Sequence, residues 1–166
     1  MPVIGRLRRW VENPSRRDLL ALRDGLPPLL ADLRATATAG QLAEAVLTRV
    51  QRGVQAARGA LVIDGAAVGA FGVIVDEAAD ETLFPIRVKL AAEHSDLDGW
   101  LLLGPRADGS PYPREARKVL EGLADPVAWA LTIALHRERA ATEQQWLIHS
   151  LDLRLTQLEM RLAAKT

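Results

Sequence analysis

The chain contains no cysteine, and that one absence removes a good deal of chemistry. Disulfides, thiolate zinc sites, thiol nucleophiles and thioether-linked chromophores are excluded, and a reducing cytosolic setting fits. No apolar run approaches the roughly 18 residues of a membrane span, and no signal-peptide pattern opens the sequence, so the chain is expected to be soluble. No internal repeat, low-complexity tract or P-loop is present. Net charge is also absent over the whole 166 residues, but the two signs are unevenly placed. Residues 1–59 carry ten Lys/Arg against five Asp/Glu, residues 60–112 three against nine, and residues 113–166 eight against seven. A basic front followed by an acidic middle speaks against a continuous nucleic-acid surface, which would want a basic stripe on the folded core.

What is there is ample for one domain with extensions: 49% of the residues are hydrophobic. The front reads as helical. "VIGRLRRWVE" places Ile4, Leu7, Trp10 and Val11 on one face and Arg6, Arg8 and Arg9 largely elsewhere. Asn13-Pro14 breaks that helix, and Ser15 with Asp18 opens another, carrying Leu19, Leu20 and Leu22, that is expected to end at Gly25. "PPLLADLR" adds a short turn or two. Thr38 with Gln41 forms a capping box for a helix whose Leu42, Val46, Leu47, Val50 and Val54 recur at three and four, closing near Gly59.

From residue 60 the period changes. "ALVI", "AVGAFGVIV" and "LFPIRVKLAA" are short, apolar and rich in β-branched residues, separated by Asp64-Gly65 and the acidic loop "DEAADE". Ile86, Val88 and Leu90 alternate with Arg87 and Lys89, which predicts a strand with one wet face. "EHSDLDG" is a hairpin loop, and Trp100 to Leu103 return as an apolar strand, giving about four antiparallel strands. About fifty helical residues follow, which Asp125-Pro126 is expected to kink or split. Beyond it, Ile133, Ala140, Leu147, Leu151, Leu155, Leu158 and Leu162 form an apolar seam, with a stutter at 147, 151, 155.

The stretch "GWLLLGPRADGSPYPREARKVLEGLADPVAWALTIAL" carries a resemblance through Gly99, Leu101, Leu103, Gly104, Tyr112, Glu115, Leu120, Leu123, Ala124, Val127, Ala128 and Leu131. It resembles the GAF domains of bacterial sensor histidine kinases, in which a strand ending Leu-Gly is followed by a polar turn and a helix. The front from Arg6 also resembles the segment such kinases place between their last membrane helix and the GAF core, and the likeness covers most of residues 6 to 145. It implies an α/β (α+β) fold: a small antiparallel sheet with flanking helices and long N- and C-terminal signalling helices. The expected division is a basic helical segment over 1–37, a GAF-like domain over 38–135 and a coiled-coil-type signalling helix over 136–166. The chain departs from the family at Pro113, Ala116 and Pro126. Only "DEAADET" stands where ligand-holding members place helices and a long loop, too short to wall a pocket for a nucleotide, haem or bilin.

Several residues invite sharper readings. His149 lacks the following acid and the proline that a kinase phosphoacceptor carries, and His94 and His136 are haem-ligand candidates without a deep apolar pocket in view. The acids of "DEAADE" and "EHSDLDG" lack EF-hand spacing, Ser95 and Ser110 lack a nucleophile elbow, and Gly65, Gly69 and Gly72 open no helix. The expectation is therefore a non-enzymatic, cofactor-free, metal-free relay module of bacterial two-component signalling. It would be cytoplasmic, at or near the inner face of the membrane, and would act on an output kinase in cis or in trans. It is expected to form a parallel homodimer through Trp129, Ile133, Leu147, Leu151, Leu155, Leu158 and Leu162, with Arg6, Arg8, Arg9 and Trp10 as a membrane or partner contact. The alternatives are a small-molecule receptor for haem, a nucleotide or an apolar ligand, and a membrane-surface module.

Overall fold

The computed structural model describes residues 14–73 and 81–166, so Arg6, Arg8, Arg9 and Trp10 lie outside the described residues. It is a mixed α+β chain with a small antiparallel sheet and a long C-terminal helix. Two units divide it, Met1–Ala134 and Leu135–Thr166. In chain order the described elements are α1 (Pro14–Leu33), α2 (Ala39–Val54), β1 (Gly59–Ile63), β2 (Ala66–Phe71), β3 (Ile86–Leu90), β4 (Gly99–Leu103) and α3 (Arg114–Ala163).

Helix α1 runs through the expected stop at Gly25 and through Pro27 and Pro28 as one element. Its buried residues explain why. Leu19, Leu22, Leu26 and Leu30 recur at three, four and four and are all buried, so one continuous helical face is anchored on both sides of the prolines. Interior proline costs about 3 kcal/mol in an isolated helix, and four buried leucines outweigh that at about 1.5–3 kcal/mol each. Packing overrides propensity here. Across from α1, Gly53 of α2 allows the approach, because a Cβ there would stand 2.7 Å from Leu22 Cδ2.

Helix α2 begins as its capping box predicts. Thr38 Oγ1 accepts from the Gln41 N–H at 3.1 Å, and Gln41 Oε1 accepts from the Thr38 N–H at 3.0 Å. Two orphan donors are satisfied at once. The helix ends at Val54, with Gln55 in the left-handed conformation at φ 57°. Leu42, Val46, Leu47, Val50 and Val54 are all buried, and Ala43 and Leu47 lie against Gly69 of β2.

The sheet order is β2-β1-β4-β3, antiparallel throughout. Asp64 and Gly65 join β1 to β2, both at positive φ (50° and 78°), as a two-residue hairpin turn requires. Register places Leu61, Leu101 and Val88 in one cross-strand row and Gly59, Leu103 and Ile86 in the next. That face packs on α2, since Gly69 shares the row of Leu61. The other face carries a smaller cluster of Ala60, Phe84 and Leu102, edged by Val62, Ala67, Ala70 and Trp100. β3 alternates as predicted, with Ile86, Val88 and Leu90 buried and Arg87 and Lys89 exposed.

Helix α3 is continuous through Pro126, so of the kink or split expected at Asp125-Pro126 the split does not occur. The reason repeats that of α1: Leu120, Leu123, Val127, Ala130, Leu131 and Ala134 are buried on one face across the proline. The buried residues of α3 end at Ala134.

Candidate functional site

The turn that launches α3 is tightly fastened. Gly104 N–H donates to the Arg58 carbonyl, Ala57 N–H to Pro105 and Ala107 N–H to Gln55, each at 2.9 Å, which zips the segment after β4 to the α2–β1 connection. Tyr112 donates its hydroxyl to the Gly104 carbonyl at 2.6 Å. Arg106, whose side chain is largely buried, donates to Ser110 Oγ at 2.7 Å. Ser110 in turn gives Asp108 a backbone bond at 2.9 Å and a hydroxyl bond at 2.6 Å. Those donors hold the Asp108 carboxyl below its ordinary range. Burial pushes the Tyr112 hydroxyl up to about 12, opposed by the nearby Arg106 charge. These groups bond one another at the root of the helix, so the cluster fixes where α3 starts. Across the sheet, Ser95 in the β3–β4 loop shares a 2.8 Å hydrogen bond with Thr132 of α3.

The residue types proposed for chemistry are scattered. His94, His136 and His149 are all exposed, on a loop and at two places on α3. Among the described residues no group of three or more His, Cys, Asp or Glu is placed to hold a metal. Ser95 and Ser110 are occupied by the bonds just given. Trp100 on the second sheet face lies beneath two cations, with the Arg87 guanidinium 5.6 Å and the Lys89 ammonium 5.7 Å from its ring centroid.

Apolar exposure, by contrast, is concentrated on α3. Leu147, Leu151, Leu155, Leu158 and Leu162 are between 55% and 67% exposed, against 0% for Leu131 on the same helix. Trp129 is 44% exposed and Ile133 is half-buried, both on the Met1–Ala134 unit. The helix also exposes residues outside the expected seam: Ile148 at 56%, and Trp146, Leu153 and Met160, spaced by seven residues. The signal for them was in the sequence, in a strict seven-residue recurrence on a helix. Replacing Leu147 by Ile148 turns the stuttered seam into 148, 151, 155, 158, 162, which alternates three and four without interruption. Trp146, Leu153 and Met160 form a second row on the opposite side of that helix.

A further apolar surface lies within the first unit. An open groove of about 430 Å3 between α1 and α3 is lined by Leu19, Leu20, Pro27, Val119, Gly122 and Leu123 together with Arg16, Arg23, Glu115 and Lys118. Gly122 is in mid-helix, yet a Cβ there would meet nothing within 4 Å. Nothing in the chain's own described packing requires a glycine at that point. Among the described residues no helix is long and apolar enough to cross a membrane. Comparison with protein-family models, with curated proteins and with solved structures returned no match.

Proposed function

We propose that the chain is a non-catalytic relay module of a signalling protein, a compact GAF-like domain that dimerises through its terminal helices and passes conformational change to an output domain, a histidine kinase being the output the sequence resemblance suggests. The observation that carries this reading is the uncovered leucine row of α3. A soluble chain seldom leaves five aliphatic side chains recurring at three and four residues in water, and burying each contributes about 1.5–3 kcal/mol. The small antiparallel sheet with packed helices supports the reading, because it is the layout the resemblance implies. So does the root of α3, where Tyr112 donates to the Gly104 carbonyl just after β4, Arg106 donates to Ser110, and backbone bonds tie residues 104–107 to the α2–β1 connection.

Relay needs an element with two arrangements of similar energy. Leu147 and Ile148 supply one: they are adjacent, equally exposed, and each completes a seam with Leu151, the first in a stuttered register and the second in a plain heptad. The module belongs, on this reading, to the cytoplasm near the inner membrane face, where Arg6, Arg8, Arg9 and Trp10 would meet anionic lipid or a partner. The rival reading, a small-molecule receptor, draws on the second sheet face, where Trp100 sits under Arg87 and Lys89 beside the Phe84 cluster. Native mass spectrometry and a visible absorption spectrum of the purified protein separate them. The relay reading expects a dimer mass with no added small molecule and no visible band. A stoichiometric bound compound would replace it with the receptor.

A further inference from the structure

The charges beside the seam are sorted by sign. When Ile148, Leu151, Leu155, Leu158 and Leu162 are taken as the seam, the positions flanking it on one side are Asp152 and Glu159, and on the other Arg154 and Arg161. All four are exposed, and Arg154 and Glu159 make no ion pair within the chain among the described residues. Two neighbouring helices bring these flanks together in a way that depends on direction. In a parallel pair the basic flank of each helix lies beside the acidic flank of the other, and a residue on the first flank meets the one five positions later on the second. Arg154 is five residues before Glu159. In an antiparallel pair like flanks meet, so Arg154 and Arg161 face arginines while Asp152 and Glu159 face acids. The two orientations therefore differ by the sign of every flanking contact.

We infer that two copies of this chain pair their C-terminal helices parallel and in register, with Ile148 rather than Leu147 in the resting seam and Arg154 of each copy against Glu159 of the other. The inference rests on the dimer reading above and adds to the parallel pairing expected from the sequence its register and the charged residues that select both. Sorted flanks do more than attract. They disfavour the antiparallel arrangement, which the leucines alone would accept equally well. A second copy is the occupant that fits, because only an identical helix presents the complementary flank at the same spacing. The row of Trp146, Leu153 and Met160 is the weaker seam, since His149, Ser150, Thr156 and Gln157 fill the positions between its three apolar residues.

The absence of cysteine makes the test direct, because any disulfide must come from the residues introduced. Ile148→Cys and Leu162→Cys are made singly in the full chain, at exposed positions where folding is checked by circular dichroism, and oxidised in air. The inferred pairing gives a covalent dimer from each variant alone and no mixed dimer when the two are combined. Mixed dimers without self-linked ones, from protein that sediments as a dimer, overturn the orientation and leave the dimer standing. Self-linking by Leu153→Cys in place of these two moves the seam to the Trp146 row and overturns the register. A monomer in sedimentation removes the dimer reading itself. Charge reversal supplies the independent arm: Glu159→Arg weakens the dimer roughly tenfold, and Arg154→Glu combined with Glu159→Arg restores it to within about threefold. No change in dissociation constant for the single reversal removes Arg154 and Glu159 as the selecting pair.

Discussion

The Met1–Ala134 body and the C-terminal part of α3 use the same aliphatic residues in the same helical spacing, with opposite outcomes. Leu120, Leu123, Val127 and Leu131 are buried in the body; Leu151, Leu155, Leu158 and Leu162 stand in water. The difference lies in what the neighbouring chain segments supply. The body has a sheet and two further helices to cover each apolar face, whereas residues 135–163 are one length of helix with no other element in its own unit to cover it. A periodic pattern therefore reports that a face wants burial, and says nothing about whether the same chain provides the cover. Where it does not, the unused pattern is the best indicator of an interaction.

The largest expected effect breaks the comparison most cleanly. Leu131→Ala should cost about 2–5 kcal/mol of body stability in urea denaturation, while Leu155→Ala should leave the body's unfolding within about 0.5 kcal/mol. Equal losses would mean that the two leucines share one core. Next, Thr38→Ala removes the cap of α2 and should lower stability by about 1 kcal/mol by the same measurement, because one N–H of the first turn loses its partner. Gly122→Ala should raise the stability of the monomeric body by about 0.5–1 kcal/mol, since the helix gains propensity and the new methyl meets open space. If it weakens the dimer as well, the α1–α3 groove belongs to the interface.

The smallest effect is spectroscopic. Tyr112 is the single tyrosine, so ultraviolet titration reads it alone and should give a midpoint near 12 against an ordinary 10. The folded state then holds its proton more tightly than the unfolded one. The resulting stability is complete below pH 10 and fades as pH rises from 10 through 12. An ordinary midpoint would mean that the hydroxyl is not buried at the root of α3.

Much of this architecture is readable in local chemistry. The Thr38/Gln41 box, the Asp64-Gly65 turn and the alternation of Ile86, Val88 and Leu90 each depend on neighbours in sequence, and each is found where it was expected. The sequence is less informative where distant contacts decide. Gly25, Pro27, Pro28 and Pro126 are breakers by propensity, but leucines packed on both sides of them keep α1 from ending at Gly25 and α3 from splitting at Pro126. The cluster of Ala60, Phe84 and Leu102 gives no periodic signal, because its members come from β1, β4 and the short turn before β3. On α3 the leucine row is legible, whereas Ile148 and the row of Trp146, Leu153 and Met160 share the same helix with it, and spacing alone does not say which row a partner covers.

The central claim is that the exposed seam of α3 is covered by a second copy. Sedimentation equilibrium of the wild type beside a Leu151→Glu, Leu158→Glu variant, each with a circular dichroism melt, tests it directly. The account predicts twice the chain mass for the wild type, the single-chain mass for the variant, and an unchanged strand signal in both. A wild type that remains at the single-chain mass at high micromolar concentration contradicts it.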